Sequence, residues 1–447
     1  MLNLPIDKSK KFQKLEYIVL LIFGVIIMKK FSLVELTKKL YDKLNEKDFK
    51  ERTRMRKQDF TRKGKMGFVN TMLFILHGPK RSLQVALNSF FKEMNMQKET
   101  YSKQAFSEGR RRIKPEAFRE IFDDTVEFFY SNASYETYKG YRVTAIDGTK
   151  YNLPNTDELL GIYGMQPSTN QVQALGSCLY DVLNGILIDV SLNKYNANER
   201  ELAKEHIDKL SEIKTNKELV LMDRGYPSAN LIEFLEKKNV NYIMRTSPMF
   251  IKKINTTGND CIVEHKFQSC KITFKMRIIR VEIAPGIEEI LISNIYGEDF
   301  TIDDFKKLYH MRWNIEEKYD DLKNKLEIEN FSGTNIIAIQ QDFYATMFLS
   351  NLASMIAYNN KDEIKKRHNN NPNNKLRYKQ NISITIATLK DNVIELLITD
   401  SRIKRARLLG YINRQLLHSV IPIKDGRHYN RVRRHLSQKF PNNRKRL

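Results

Sequence analysis

Apolar positions make the first division of this chain. From Phe31 to about residue 130 they recur every three or four residues, the spacing of amphipathic helices. Phe31–Leu44 and Met66–Leu76 are the clearest runs, and Gly78-Pro79 opens another that reaches Met94. In YSKQAFSEGRRRIKPEAFREIFDD (Tyr101–Asp124), Ser102 reads as a helix N-cap. The helix it opens carries Arg110, Arg111 and Arg112, and Lys114-Pro115 ends it and starts the next. Short helices around an Arg-rich one suit a helix-turn-helix DNA reader, and equally a plain pair of basic helices.

At Tyr141 the pattern changes to strands. YRVTAIDGT (Tyr141–Thr149) is a β-rich run ending in Asp-Gly. QALGSCLYDVLNGILIDVSL (Gln173–Leu192) brackets Asn184-Gly185, a hairpin signal. ANERELAKEHIDKL (Ala197–Leu210) is helical, with Asn198, Glu199 and Arg200 as its opening turn. ELVLMDRGY (Glu218–Tyr226) is an apolar strand ending in Asp-Arg-Gly, Pro227 starts a helix, and NYIMRTS (Asn241–Ser247) is a further strand. Residues 248–297 read as purely β. A second apolar helix runs from Ile336 to about Asn359, the Asn-rich HNNNPNNK (His368–Lys375) reads as a linker, and Ile382–Leu397 is amphipathic. No internal repeat is visible.

Tyr309–Lys323, YHMRWNIEEKYDDLK, has no Pro or Gly and predicts a single helix. Leu308, Met311, Ile315, Tyr319, Leu322 and Leu326 form its apolar stripe. Tyr309, Arg312, Glu316 and Lys323 share a neighbouring face. Read alone, that row is a solvated face laced with intrahelical ion pairs. On the same geometry Glu317 and Asp321 point away, while Asp320 stays a rival to Glu316.

Charge changes the picture. Lys+Arg total 76 against 53 Asp+Glu, a net +23. A globular chain this basic points to a polyanionic partner, nucleic acid first, although a Lys-rich proteome also gives such a balance. The distribution favours the partner: residues 401–447 hold fourteen Lys/Arg and one acid, Asp425. RIKRAR (Arg402–Arg407) and RVRRH (Arg431–His435) read as a phosphate-tracking arm. Cys178, Cys261 and Cys270 have no paired spacing, which argues for a reducing compartment and against a zinc site. The apolar run Tyr17–Met28 is too short to span a bilayer comfortably and lacks a cleavage site, so it reads as a buried helix or as sequence ahead of a start at Met28.

Asp147 follows VTAI and Asp223 follows LVLM, each where an apolar strand meets a Gly-containing turn. Singly, each is a turn signal. Two on adjacent strands, with an inward Glu316, make three converging carboxylates, which repel unless cations neutralise them. Oxygen-only ligation suits Mg²⁺ or Mn²⁺, and two such ions suit displacement at phosphorus.

The spacing Y-(2)-R-(3)-E-(6)-K, as Tyr309, Arg312, Glu316 and Lys323, resembles the signature of the DDE transposases of the bacterial insertion-sequence superfamily known for its YREK motif, the IS-four type. AIDGTKYNLP and LMDRGYPS resemble that family's blocks around its two aspartates. QAFSEGRRRIKPEAF and GRHYNRVRRHLSQKFPNN resemble its end segments more weakly. The resemblance implies an α/β fold: a ribonuclease-H-like catalytic domain with a β-rich insertion, an N-terminal helical DNA-binding domain and a basic C-terminal region. The expected boundaries are an extension over 1–28, helical DNA-binding domain 29–135, catalytic parts 136–247 and 299–362, insertion 248–298, and linker with basic region 363–447. It implies a cut-and-paste transposase with catalytic and metal-holding Asp147, Asp223 and Glu316, and two Mg²⁺ ions that Mn²⁺ can replace. Tyr309, Arg312, Trp313, Lys323, Arg110, Arg111, Arg112 and Arg224 are the expected DNA contacts, with Lys150 and Tyr226 beside them. Trp313 has two readings, a base-stacking ring and core packing. The implied partners are double-stranded DNA, as terminal inverted repeats and target, and a second copy in a homodimeric synaptic complex. No membrane role is expected, and the place is the bacterial cytoplasm at the nucleoid. The alternative is an inactive DNA-binding derivative or regulator of transposition.

Overall fold

The computed structural model describes residues 31–423 except 63, 97, 214–216, 252–253, 255–257, 268–272, 285, 372–373 and 375. The apolar run Tyr17–Met28, the cluster RVRRH and the end segment after Ile423 lie outside the described residues. Two compact units divide the chain. One gathers the helices up to Ser134 with Asn330–Gly333 and the chain from Ile337 on; the other is Tyr135–Glu329 with Thr334–Ile336.

The first unit is helical: α1 Leu33–Asn45, α2 Lys47–Thr53, α3 Phe68–Leu76, α4 Leu83–Glu93, α5 Lys103–Arg110 and α6 Glu116–Asn132. Ser102 caps α5 as expected, accepting from the Ala105 N–H. Phe74 centres its aromatic core, 4.7 Å from the Phe106 ring and 5.4 Å from Phe90.

Of the three arginines in the Arg-rich segment, the first turns inward. Arg110 is 1% exposed. Its guanidinium pairs with Asp342 at 2.7 Å and donates to the Gln341 side chain at 2.8 Å. It also donates to Ser332 and to the Ala338 carbonyl. Asp342, Gln341 and Ala338 belong to α12 (Ile336–Ile364). Arg110 is thus corrected from DNA contact to buried bolt, since a guanidinium with all its partners inside has none left for phosphate. Arg111 and Arg112 lie beyond the helix end and are exposed. That bolt also places α12 in the helical unit, whereas the sequence boundaries set it with the catalytic part. α13 (Ile382–Ile398) and α14 (Arg402–Leu417) complete the unit, with a small sheet of β10 (Tyr378–Gln380) and β11 (Val420–Pro422). RIKRAR is the first turn and a half of α14, not an extended arm, and Arg405 within it is fully buried.

The second unit is built on one nine-stranded mixed sheet. Its strands are β1 Tyr141–Asn152, β2 Met165–Gln166, β3 Gln171–Asp181, β4 Ile186–Lys194, β5 Lys217–Met222, β6 Asn241–Thr246, β7 Asp260–Lys266, β8 Thr273–Ala284 and β9 Ile287–Ser293. The order is β2-β3-β1-β5-β6-β9-β8-β7, with β4 also on β3. β1, β5 and β6 are parallel, and the β3–β4 hairpin is antiparallel around Gly185, whose φ is +75°. The helices are α7 Asp157–Tyr163, α8 Glu199–Leu210, α9 Ala229–Lys237, α10 Ile302–Met311 and α11 Trp313–Asp320. The expected β insertion is no separate module: β9 pairs with β6 and carries β8 and β7 outward as the same sheet.

Candidate active site

Strand register brings the two aspartates together. β1 and β5 run parallel, and their last paired residues are Ala145 and Leu221. Two residues further along each chain stand Asp147 and Asp223, side by side at the carboxyl ends. β1 does not end there, as its Asp-Gly suggested. It continues to Asn152 along β3, with Asp147 opposite Cys178. Asp147 therefore lies where β1 outruns β5, one flank paired and the other open. Asp223 follows β5 directly, and its carboxylate accepts the Gly225 N–H at 2.7 Å. The Asp147 carboxylate accepts the Gly148 N–H at 2.8 Å.

The expected single helix over Tyr309–Lys323 is three segments. α10 tightens at Arg312, whose N–H bonds the Tyr309 carbonyl at 3.1 Å. α11 follows, and Asp321–Lys325 is a π-helical turn. The polar face survives these breaks. The Arg312 guanidinium, 6% exposed, lies 3.0 Å from Glu316 and 3.7 Å from Asp147. It sits between two of the three expected carboxylates. Lys323, on the π turn, donates to the Thr149 hydroxyl and the Lys150 carbonyl, both at 2.8 Å, so it is tied to β1 just past Asp147. Glu317 and Asp320 are exposed, and Asp321 pairs with Lys325, so Glu316 is the carboxylate of this helix that reaches the site.

The electrostatics fit a place that wants a cation. Burial pushes the Asp147 carboxyl up to about 6, and neighbouring Asp223 and Glu316 push the same way. The Gly148 N–H and Arg312 only partly oppose them. An all-oxygen set of this kind suits a hard divalent ion. Among the described residues, no three His, Cys, Asp or Glu side chains stand close enough to hold an ion as placed. The charge joining Asp147 to Glu316 is the guanidinium of Arg312.

The other expected contacts divide. Trp313 is 44% exposed with Arg312 5.1 Å from its ring, so its core-packing reading is set aside. Arg224 is exposed beside Asp223. Tyr309 is 4% exposed, with burial pushing its phenol up to about 12. It lies under Arg312, 5.8 Å from the guanidinium, and offers DNA no surface. Tyr226 is likewise buried, and Lys150 bonds the Tyr195 carbonyl.

Sequence reading missed Tyr319, assigned to the apolar stripe. Its hydroxyl donates to the Asp147 carbonyl at 2.5 Å and accepts from the Cys178 thiol at 3.0 Å. Arg312 and Tyr319 are seven residues apart on one face, so the helix grips Asp147 by side chain and main chain, with Glu316 between. A polar group inside an apolar stripe, three residues from Glu316, was the available signal. A second missed set is Asp189, His206 and Ser177. The His206 ring meets Asp189 at 2.6 Å and Ser177 at 2.9 Å, the bonding order of a hydrolase triad. All three are buried, so no substrate reaches Ser177, and the set pins α8 to β3 and β4.

Residues 138–352 match the family described as "Transposase DDE domain". Transposase InsG for insertion sequence element IS4, from Escherichia coli (strain K12), is 22% identical over 252 residues, covering 50% of this chain and 53% of that protein. The chain thus spans about half the length of this curated relative. A cryo-EM structure titled as the piggyBac transposase synaptic complex with hairpin DNA is similar at a TM-score of 0.47 and 10% identity, over 86% of this chain and 82% of that one. The matched segment contains both aspartates and the whole of the Tyr309–Lys323 face, so residues 138–352 carry a transposase DDE domain similar to that of the IS4-type transposases.

Proposed function

We propose that this chain is a cut-and-paste DNA transposase that binds the terminal inverted repeats of its own insertion sequence and cuts and joins strands at Asp147, Asp223 and Glu316. The observation that carries this reading is the register of β1 on β5, which sets the two aspartates abreast and within electrostatic reach of Glu316. The strand order β4-β3-β1-β5-β6, an antiparallel hairpin beside parallel strands, supports a ribonuclease-H-like catalytic core.

Asp147, Asp223 and Glu316 would hold two Mg²⁺ ions, or Mn²⁺, which supply Lewis-acid activation of water or a DNA 3′-hydroxyl. Arg312 and Lys323 lie where they can take phosphate once that charge is neutralised. Trp313 offers a ring to a displaced base. The exposed Arg111, Arg112 and Arg224, and the outward residues of RIKRAR, are candidate backbone contacts. The helical unit is the proposed reader of the element ends, and two copies acting on paired ends are the proposed assembly. Action on DNA places the chain at the bacterial nucleoid, and no described helix is long and apolar enough to cross a membrane. The second reading, an inactive regulator, is disfavoured because all three carboxylates and Lys323 are kept.

The test is supercoiled plasmid carrying the element, Mg²⁺, and the protein beside Asp147→Ala, Asp223→Ala and Glu316→Gln. Metal-dependent breaks at the element ends, lost in all three variants, are expected. Binding to the ends without cutting under either metal favours the regulator. Cutting that survives Glu316→Gln removes Glu316 from the site.

A further inference from the structure

Glu199 looks like an ordinary helix-opening residue. Asn198 already fills that role, its side chain accepting from the Arg200 N–H, and Glu199 is the first residue of α8. Seven residues on, and so on the same face, His206 is fixed to Ser177 of β3 and Asp189 of β4. That anchor turns Glu199 toward the sheet. Its carboxylate lies over Gly148, the residue after Asp147. A β-carbon on Gly148 would stand 3.0 Å from Glu199 Oε2 and 3.2 Å from Cδ, so the missing side chain is what admits the carboxylate. The Asp147-Gly148 pair is therefore no turn inside β1. The glycine makes room.

Two further ties draw Glu199 into the same place. The Tyr226 hydroxyl, on a side chain 2% exposed, donates to Glu199 Oε2 at 3.4 Å. Burial raises that phenol well above its ordinary value, and the charges of Asp147, Glu199 and Asp223 each push it further. Arg200 donates to the Gly225 carbonyl at 3.0 Å, fastening the start of α8 to the loop behind Asp223.

We propose that Glu199 is a fourth carboxylate of the reaction centre, helping Asp147, Asp223 and Glu316 hold the divalent cations from the α8 side of β1. The inference rests on the metal-dependent DDE reading above. A fourth acid at the strand edge adds an oxygen ligand and negative charge where paired divalent cations would sit. The N-terminus of α8 favours that charge, and the Lys150 ammonium lies within its electrostatic reach.

The probe is Mn²⁺ alone, titrated calorimetrically into the metal-free full chain without DNA. The proteins are wild type, Glu199→Gln, Glu199→Asp, Asp147→Asn and, as control, Glu205→Gln on the exposed side of α8. Thermal melts in chelator check that each one folds. Glu199→Gln is expected to weaken Mn²⁺ by about tenfold or more, as loss of a metal-site partner does, with an unchanged melt. Glu199→Asp should fall between it and wild type, and Glu205→Gln should match wild type. Mn²⁺ binding by Glu199→Gln equal to wild type, with Asp147→Asn impaired, overturns this inference and leaves the three-carboxylate reading standing. Should wild type not bind Mn²⁺, or Asp147→Asn bind it unchanged, the reading beneath both is overturned.

Discussion

Arg110 separates a structural argument from a DNA-binding one. Its guanidinium is 1% exposed, and its Asp342 partner is 11% exposed. Arg110→Ala leaves that carboxylate inside the helical unit with only the Ser332 side-chain and N–H bonds. Breaking a buried pair by removing one member costs about 3–5 kcal/mol, because the remaining charge is uncompensated. Against a typical domain stability of about 5–15 kcal/mol, that is a large share. The acid side adds a sign. Burial raises the Asp342 carboxyl, but Arg110, Lys80 and the Ser332 N–H outweigh it, and the net shift is downward. A depressed carboxyl stabilises above its unfolded value, near pH 4, and that stability is lost as pH falls through the depressed value. In Arg110→Ala burial remains while the foremost opposing charge is gone, so the Asp342 carboxyl lies higher than in wild type and protonation by acid relieves the variant. The gap between wild type and variant is therefore widest near neutrality and narrows below about pH 4. Urea unfolding followed by far-UV ellipticity reads both units, weighted to the helical one, while Trp313 fluorescence reads the sheet unit, so the difference between the two curves isolates the helical transition. Arg111→Ala and Arg112→Ala, at exposed positions, should move stability by no more than about 0.5 kcal/mol. An Arg110→Ala protein with unchanged ellipticity midpoint and weakened DNA binding would refute the buried-bolt reading.

Asp147, raised to about 6 chiefly by burial, contributes stability that is full below about pH 4 and lost as pH rises through its folded value. Asp147→Asn in metal-free protein should therefore gain on the order of 1–3 kcal/mol over wild type between about pH 4 and about pH 8, measured by urea unfolding; no gain contradicts the crowding of carboxylates. Tyr319→Phe should cost about 1 kcal/mol of stability but lower strand cleavage about tenfold or more, because Asp147 loses its main-chain tether; unaltered cleavage would show the tether idle. Trp313 is the sole tryptophan and is half-exposed beside Arg312, so its emission should shift on adding element-end DNA, while Trp313→Ala should change stability by less than about 0.5 kcal/mol. His206→Ala should destabilise the sheet unit by about 3 kcal/mol, because the buried ring and its bonds to Asp189 and Ser177 are lost together; a neutral effect would count against the pin on α8.

Local pattern carried much of this protein into view. The strand and helix periods, the Asn184-Gly185 hairpin, the Ser102 cap and the face shared by Tyr309, Arg312, Glu316 and Lys323 all follow from spacing along the chain, because backbone geometry repeats at fixed periods. The choice of Glu316 over Glu317 and Asp321 followed from the same rule. Tertiary structure decided what spacing cannot express. Whether an arginine meets solvent or a carboxylate 232 residues away depends on which helix packs beside it, and so Arg110 went inward while its neighbours did not. Asp147-Gly148 has the composition of a turn, yet β3 pairs straight past it, since ladder bonds and room for Glu199 outweigh local preference. The residues beyond 248 have strand periodicity in any arrangement; only pairing of β9 on β6 makes them part of the same sheet. The places of Tyr319 and Glu199 were invisible for one reason: each meets Asp147 or its neighbour only through the fold, and their own sequence surroundings say only apolar stripe and helix start.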